Sequence, residues 1–341
     1  MRARILVAED NHVNATVFRR ALALLDCEVT ITRDGAQALE ELERQRFDIL
    51  ITDWMMPQMD GIELIQRVRA TARPWPFMLM VTAIDSAEAK ERALDAGADD
   101  YMAKPIDVVA FQRMVSDAIA RISDTAPIKL PPLRLLPSQA KPDVVAVVIA
   151  CSTGGPQSLP KALAGIPANV PATFMVVQHA PEWALEAFST RLNSSLDLTV
   201  MQADENTTPL PGTLYLARGD RHLSISKNGR HLKLDDAPKE NYVRPAADVL
   251  FRSAAAAYGE FCVAVILTGL GRDGTLGAAH VAAAGGRVIA EDPVTANMPF
   301  MPQSVLEVGV AKETVPLAGM SEAIMKHVIE LDRALRMRKA S

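Results

Sequence analysis

Two consecutive α/β domains, each built on a mostly parallel β-sheet and the second with an added antiparallel hairpin, are the fold class this sequence predicts. Three observations carry that expectation. Short runs of β-branched and apolar residues alternate with amphipathic helical stretches along most of the chain. The alternation breaks once, at a proline-rich stretch over 124–142. Residue types suited to chemistry fall just past the carboxyl ends of strand-like runs, where open parallel sheets place their sites.

Bulk properties agree. A chain of 341 residues holds two ordinary domains and a connection. Hydrophobic content of 49% and charged content of 23% are those of a globular protein. A net charge of −5, with no terminal basic helix-turn-helix pattern, argues against nucleic acid as a partner and against a DNA-binding regulator. Cys27, Cys151 and Cys262 show no metal spacing and suit a reducing compartment, so a cytoplasmic location is expected. The first apolar run is too short for a signal peptide. No run approaches the ~20 residues of a membrane helix, so no membrane insertion is expected.

In the first domain, residues 1–122, strands are expected at 4–8, 28–32, 47–52, 77–82 and 100–103. Helical patterns lie between and after them, at 12–25, 35–44, 60–70, 86–96 and 107–122. Five βα units predict a doubly wound parallel sheet. Glu9 and Asp10 follow the first strand, Asp53 the third, Thr82 ends the fourth and Lys104 follows the fifth. Three carboxylates on one crevice repel unless a cation sits among them, and hard oxygen ligands suit Mg2+. A lysine and a hydroxyl beside them are suited to gripping a phosphoryl group carried on one carboxylate. Singly, each has an ordinary reading: Asp10 as a helix cap, Asp53 as a loop residue, Lys104 as a surface charge.

Residues 123–142 read as a semi-extended linker, because Pro127, Pro131, Pro132, Pro137 and Pro142 block regular structure. Leu133, Leu135 and Leu136 give it an apolar side able to dock on a domain surface.

The second domain, 143–341, opens on a fully apolar run, 144–150, followed by Cys151-Ser152-Thr153-Gly154-Gly155 and a helix begun at Pro156. Ser152 thus sits between a buried strand and a helix N-terminus, whose N–H groups favour a negative oxygen. Its ordinary reading is a helix N-cap. Further strands are expected at 173–178, 198–202, 213–217, 261–268 and 287–290, with helices at 182–194, 245–258, 278–284 and 321–336. Residues 222–234 alternate around Asn228-Gly229, a hairpin signal. His179 and Asp273 each lie just past a buried strand, as Ser152 does. An imidazole activates a serine hydroxyl and a carboxylate orients the imidazole, so the three form a candidate nucleophilic triad. The chain order and the ACSTG turn differ from the GxSxG elbow of α/β-hydrolases. His222, His231, His280 and His327 are competing bases, with His231 and His327 read as solvated. Asp204, Asp248 and Asp292 compete with Asp273, and Cys151 is a minor alternative nucleophile.

The motifs AED at 8–10, DWMMPQMDG at 53–61, VTA at 81–83 and YMAKP at 101–105 resemble the response-regulator receiver domain, a flavodoxin-like (βα)5 fold. The resemblance implies phosphorylation of Asp53 by a histidine kinase. It also implies Mg2+ held by Glu9, Asp10, Asp53 and the Met55 carbonyl, with Lys104 on the phosphoryl group and Thr82 and Tyr101 as switch residues. The motifs ACSTGGP at 150–156, VQHAP at 177–181, LARGDRHL at 216–223, RPAADVLF at 244–251 and LTGLGRDG at 267–274 resemble the catalytic domain of the chemotaxis protein-glutamate methylesterase (CheB) family. That resemblance places the catalytic residues on Ser152, His179 and Asp273. It implies a kinase of the CheA type as phosphodonor and methyl-accepting chemoreceptors as substrate. The expected activity is phosphorylation-activated hydrolysis of glutamate γ-methyl esters, with the receiver gating access to the active site, methanol released, glutamine deamidation as a second activity and no cofactor for the ester step. Two other readings stand beside it: an esterase of a non-flagellar pathway, and a non-catalytic phosphorylation-gated scaffold. Arg218, Ala246, Leu270 and Phe300 depart from the family's usual residues and are expected to border the cleft.

Overall fold

The computed structural model describes residues 2–71, 75–124, 128, 130 and 142–340. Residues 1–125 and 126–341 form two compact units. Most of the expected linker, 125–127, 129 and 131–141, lies outside the described residues.

The first unit alternates strand and helix: β1 Ala3–Ala8, α1 His12–Leu22, β2 Cys27–Thr32, α2 Gly35–Arg44, β3 Ile49–Thr52, α3 Gly61–Ala70, β4 Phe77–Thr82, α4 Ala87–Ala96, β5 Asp100–Ala103 and α5 Val108–Ser123. Its sheet is parallel throughout, in the order β2-β1-β3-β4-β5. The order reverses between β1 and β3, which opens a crevice at their carboxyl ends. Side chains start the helices where expected. Asn11, Asp34, Asp60, Ser86 and Asp107 each accept a backbone N–H of the first turn. Helix α5 runs one residue past the expected boundary.

The second unit holds β6 Val145–Cys151, α6 Gly155–Leu163, β7 Ala172–Gln178, α7 Glu182–Ser195, β8 Thr199–Gln202 and β9 Thr213–Leu216. It continues with β10 His222–Ile225, β11 Leu232–Asp235, α8 Ala247–Tyr258, β12 Cys262–Ile266, α9 Thr275–Ala283, β13 Arg287–Glu291, α10 Phe300–Glu307, β14 Glu313–Val315 and α11 Met320–Ala340. Seven strands form a parallel sheet in the order β14-β13-β12-β6-β7-β9-β8, and β10 with β11 forms the expected hairpin. Strand β6 is central. Val145, Val147, Ile149 and Cys151 face a core completed by α6, α7 and α11. Ala146, Val148 and Ala150 face a second core covered by α8, α9, α10 and the hairpin. An unbroken apolar run is what a strand covered on both faces requires.

Helix α10 and strand β14 were not expected. The first is short and contains Pro302, and the second is a three-residue edge strand, so neither leaves a periodic signal. Helix α9 begins earlier than expected, because Gly274 at φ +91° ends the preceding loop abruptly.

Helices α8 and α9 touch at Gly277, where an added Cβ would come within 2.5 Å of the Phe251 Cβ and 3.0 Å of the Asp248 Cα. Alanine is the better helix former by about 1 kcal/mol, but overpacking costs typically 1–3 kcal/mol. Gly277→Ala is therefore expected to lower the melting temperature of the second unit by a few degrees, measured by calorimetry. An unchanged or raised value would show that the helices have room to part.

Candidate active site and phosphoacceptor site

In the first unit the crevice gathers the residues singled out from the sequence. Glu9 and Asp53 are 1% and 8% exposed. Oxygens of Glu9, Asp10 and Asp53 lie within 4.8 Å of one another. Lys104 Nζ donates to Asp53 Oδ2 at 2.6 Å and to Glu9 Oε2 at 2.7 Å. The Trp54 N–H donates to Asp53 Oδ1 at 2.6 Å, and Asn14 Nδ2 donates to Glu9 Oε1 at 3.0 Å. Burial pushes the Glu9 carboxyl above its ordinary value, against the pull of Lys104. One lysine among three carboxylates leaves the crevice short of positive charge. The donors are all hard oxygens, so the set fits Mg2+. Gly61 is required here, since a Cβ would stand 2.0 Å from the Asp53 carbonyl oxygen. Met55 follows in the same loop with an exposed side chain. Thr82 is fully buried and Tyr101 is 5% exposed. Both reach Ile84: its N–H approaches Thr82 Oγ1 at 3.5 Å, and the Tyr101 hydroxyl donates to its carbonyl.

In the second unit the site stands where the strand order turns about β6. Strands β6 and β7 pair Cys151 with Gln178, so Ser152 and His179 occupy the next register position. The His179 N–H donates to the Cys151 carbonyl at 3.1 Å, and the Ser152 N–H donates to the Thr268 carbonyl at 3.0 Å. Gln178 Nε2 clamps the turn by donating to the Ser152 and His179 carbonyls, each at 3.0 Å. Helix α6 is capped by Gly154 at φ +79°, with no side-chain bond. Ser152 is therefore not the N-cap of that helix, and its ordinary structural reading falls away. A Cβ at Gly154 would meet the Asn297 Cβ at 2.6 Å, so only glycine fits the turn.

His179 and Asp273 meet directly, with Nε2 2.8 Å from Asp273 Oδ2. Asp273 is 2% exposed, yet its carboxylate is fully dressed. Oδ2 also accepts the Ala247 N–H at 2.6 Å. Oδ1 accepts the Asp248 N–H at 3.1 Å, the Gly274 N–H at 3.0 Å and Asn241 Nδ2 at 2.8 Å. Burial opposes its ionisation, but the His179 bond and the two backbone N–H groups of α8 outweigh burial and hold it below the usual carboxyl range.

The competing histidines lie elsewhere. His222 is 1% exposed and joins the Pro238 carbonyl to the Ala246 N–H. His280 bonds within its own helix. His327, expected in solvent, is 9% exposed and pairs with Glu313 at 2.6 Å. That correction follows from β14, which brings Glu313 against α11. Cys151 is buried, and burial pushes its thiol well above the ordinary value, which suits packing rather than attack. Among the residues expected at the rim, Ala246 and Leu270 are 0% and 1% exposed. Arg218 is tied to Asp204, Glu182 and Gln202. Phe300 alone of the four is exposed. From the sequence Asp248 is only a rival to Asp273 and Asn241 carries no signal, since nothing local marks either as its neighbour.

Two switch-point sites on one chain, one acidic and one holding a serine beside a histidine–aspartate pair, are those of a response regulator with an enzymatic output unit. Comparison with known proteins agrees. Residues 5–116 match the response regulator receiver domain and residues 147–324 match CheB methylesterase. A protein-glutamate methylesterase/protein-glutamine glutaminase of Nocardioides sp. is 35% identical, with 95% of each chain covered. One of Pyrococcus abyssi is 34% identical over 95% of this chain and 93% of its own. The crystal structure of the Thermotoga maritima CheB methylesterase catalytic domain is 42% identical, covers 54% of this chain and 98% of that one, and superposes with a TM-score of 0.52. The chain belongs to the CheB methylesterase family, whose members are esterases.

The Asp248 carboxyl is pushed up to about 7, by burial first and by the Asp273 charge second. A raised value means that its contribution to stability is present below the ordinary 3.8 and is lost as pH rises through about 7. The stability advantage of the natural chain over Asp248→Asn is expected to narrow between those pH values, measured by denaturant unfolding. A difference that stays flat with pH would contradict the raised value.

Proposed function

We propose that this chain hydrolyses glutamate γ-methyl esters on methyl-accepting chemoreceptors, releasing methanol, and that phosphorylation of Asp53 raises the rate. The observation that carries the esterase chemistry is the His179–Asp273 bond beside Ser152 on adjacent strand ends. A carboxylate accepts, so Nε2 carries the proton of that bond, and Nδ1 is the ring atom that acts as base toward the serine. His179 takes the hydroxyl proton as Ser152 Oγ attacks the ester carbonyl. The tetrahedral oxyanion collapses, the methoxide leaves and His179 returns the proton to give methanol. Water, deprotonated by the same imidazole, then hydrolyses the acyl-serine to free the glutamate side chain and Ser152. Asp273 stays ionised and steadies the imidazolium. Of the N–H groups near the developing oxyanion, that of His179 is already bonded to Cys151, so those of the 153–154 turn are better suited.

Relatives bear the name protein-glutamine glutaminase as well, which supports amide hydrolysis as a second activity of the same site. The acidic crevice supports the phosphoacceptor role. Glu9, Asp10 and Asp53 would hold Mg2+, which neutralises charge on a phosphoryl donor. Lys104 would grip the phosphoryl oxygens, and Thr82 and Tyr101 would report its presence. A histidine kinase of the CheA type is the expected donor. Three unpaired cysteines support a reducing, cytoplasmic place of action.

Ser152→Ala is expected to lower methanol release from methylated receptors by about 10⁴ or more with the fold retained. Release at the natural rate would sink the nucleophile assignment. Chelation with EDTA is expected to abolish labelling of Asp53 by a small phosphodonor while a serine-directed phosphonate still labels Ser152. Loss of both together would tie the two sites in a way this reading does not allow. A chain beginning near Asp143 is expected to outpace the phosphate-free full chain, and equal rates would overturn gating by the first unit.

A further inference from the structure

We propose that Asn241 and Asp248 are positioning residues that aim the Asp273 carboxylate at His179, an inference that rests on the catalytic role given to Asp273 above. A carboxylate turns about its last torsion between two equivalent settings, so something must decide which oxygen meets the imidazole. Backbone N–H groups reach both oxygens of Asp273. Asn241 Nδ2, at 2.8 Å, is the side-chain donor on Oδ1, opposite the oxygen that His179 uses.

The Asn241 amide is itself held in one sense. Its nitrogen donates a second hydrogen to Asp248 Oδ2 at 2.8 Å. A flipped amide would point its oxygen at two carboxyl groups, so Asp248 and Asp273 together select the donor orientation. Asp248 is 1% exposed and is pinned by the Gly277 N–H, which donates to its Oδ1 at 2.6 Å. Its own N–H donates to Asp273 Oδ1, which closes the cluster.

The backbone that presents Asn241 is built for the task. Glu240 and Val243 exchange both backbone hydrogen bonds, at 3.1 and 3.0 Å. Asn241 and Tyr242 between them have φ of 52° and 66°, the paired left-handed setting of a two-residue reverse turn. Asparagine tolerates that setting better than most side chains. Arg252, one turn along α8 from Asp248, grips Glu240 with two bonds of 2.6 and 2.7 Å. The turn is thereby locked to the helix that carries Asp248. Burial and the Asp273 charge make Asp248 the carboxyl that gives up its charge first, which leaves Asp273 as the anion facing His179.

The test uses the full chain and two readouts that need no receptor: the rate at which a fluorophosphonate labels Ser152, and the low-field proton resonance of the His179–Asp273 bond. The variants are Asn241→Leu, which cannot donate, and Asp248→Asn, which keeps its size but sets a donor against the Asn241 amide. Either is expected to slow labelling by about 10²-fold, the scale of a small misplacement at a reacting centre, and to shift or broaden the resonance. If Asn241→Leu fails to fold, Asp248→Asn decides alone. Folded variants with natural labelling rates and an unmoved resonance would overturn the proposal. A natural chain that is never labelled at Ser152 would instead overturn the hydrolase reading, and the resonance would still decide whether Asn241 positions Asp273.

Discussion

The bond between His179 Nε2 and Asp273 Oδ2 ties the catalytic unit together, because a carboxylate at 2% exposure survives only when its charge is answered. Here five donors answer it, and they come from separate parts of the chain: the end of β7, the 240–243 turn, the first turn of α8 and the loop before α9. Each must be in place for the others to be tolerated. The two backbone N–H groups of α8 do double duty, since they are also the unpaired groups at a helix N-terminus, where negative charge is favoured. The site is thus part of the reason that α8, α9 and the central strands adopt one arrangement.

The first unit meets the same problem in another way. Its carboxylates also sit at strand ends beside a reversal of strand order, but their charge is answered chiefly by the Lys104 ammonium, with single N–H bonds from Trp54 and Asn14 beside it. Lys104 spans Asp53 and Glu9 in two short bonds. An ammonium on a flexible stem can leave one partner for another, whereas backbone donors cannot. The contrast matches the proposed roles. Asp53 has to accept a phosphoryl group and lose it again, while Asp273 has to remain an anion in one orientation throughout.

Arg218, expected to border the cleft, is tied to its neighbours through its guanidinium. Its guanidinium holds Asp204, Glu182 and Gln202, and Glu182 in turn accepts the Gly219 N–H. All its reach is spent on stapling the loop after β9 to α7 and β8. Ala246 contributes through its backbone, by donating to His222 Nδ1, and its small side chain is sealed in. Of the four residues expected at the rim, Phe300 is the most exposed.

The sequence by itself determined the two parallel α/β units, since apolar runs such as 144–150 have no stable place except between two covered faces. It also determined which residues stand at strand ends, because a strand's end is marked locally by the glycines and polar residues that follow it. Ser152, His179, Asp273, Glu9, Asp10, Asp53 and Lys104 were legible for that reason. Tertiary structure decided everything that depends on residues far apart in the chain. It made Gly154 rather than Ser152 the cap of α6, and it buried His327 against Glu313. It turned Asp248 from a rival of Asp273 into its neighbour, and it set Asn241 between them. It also gave Nε2 of His179 to the carboxylate. A hydrogen-bond partner is chosen by distance and direction in space, and no local pattern of residues carries either.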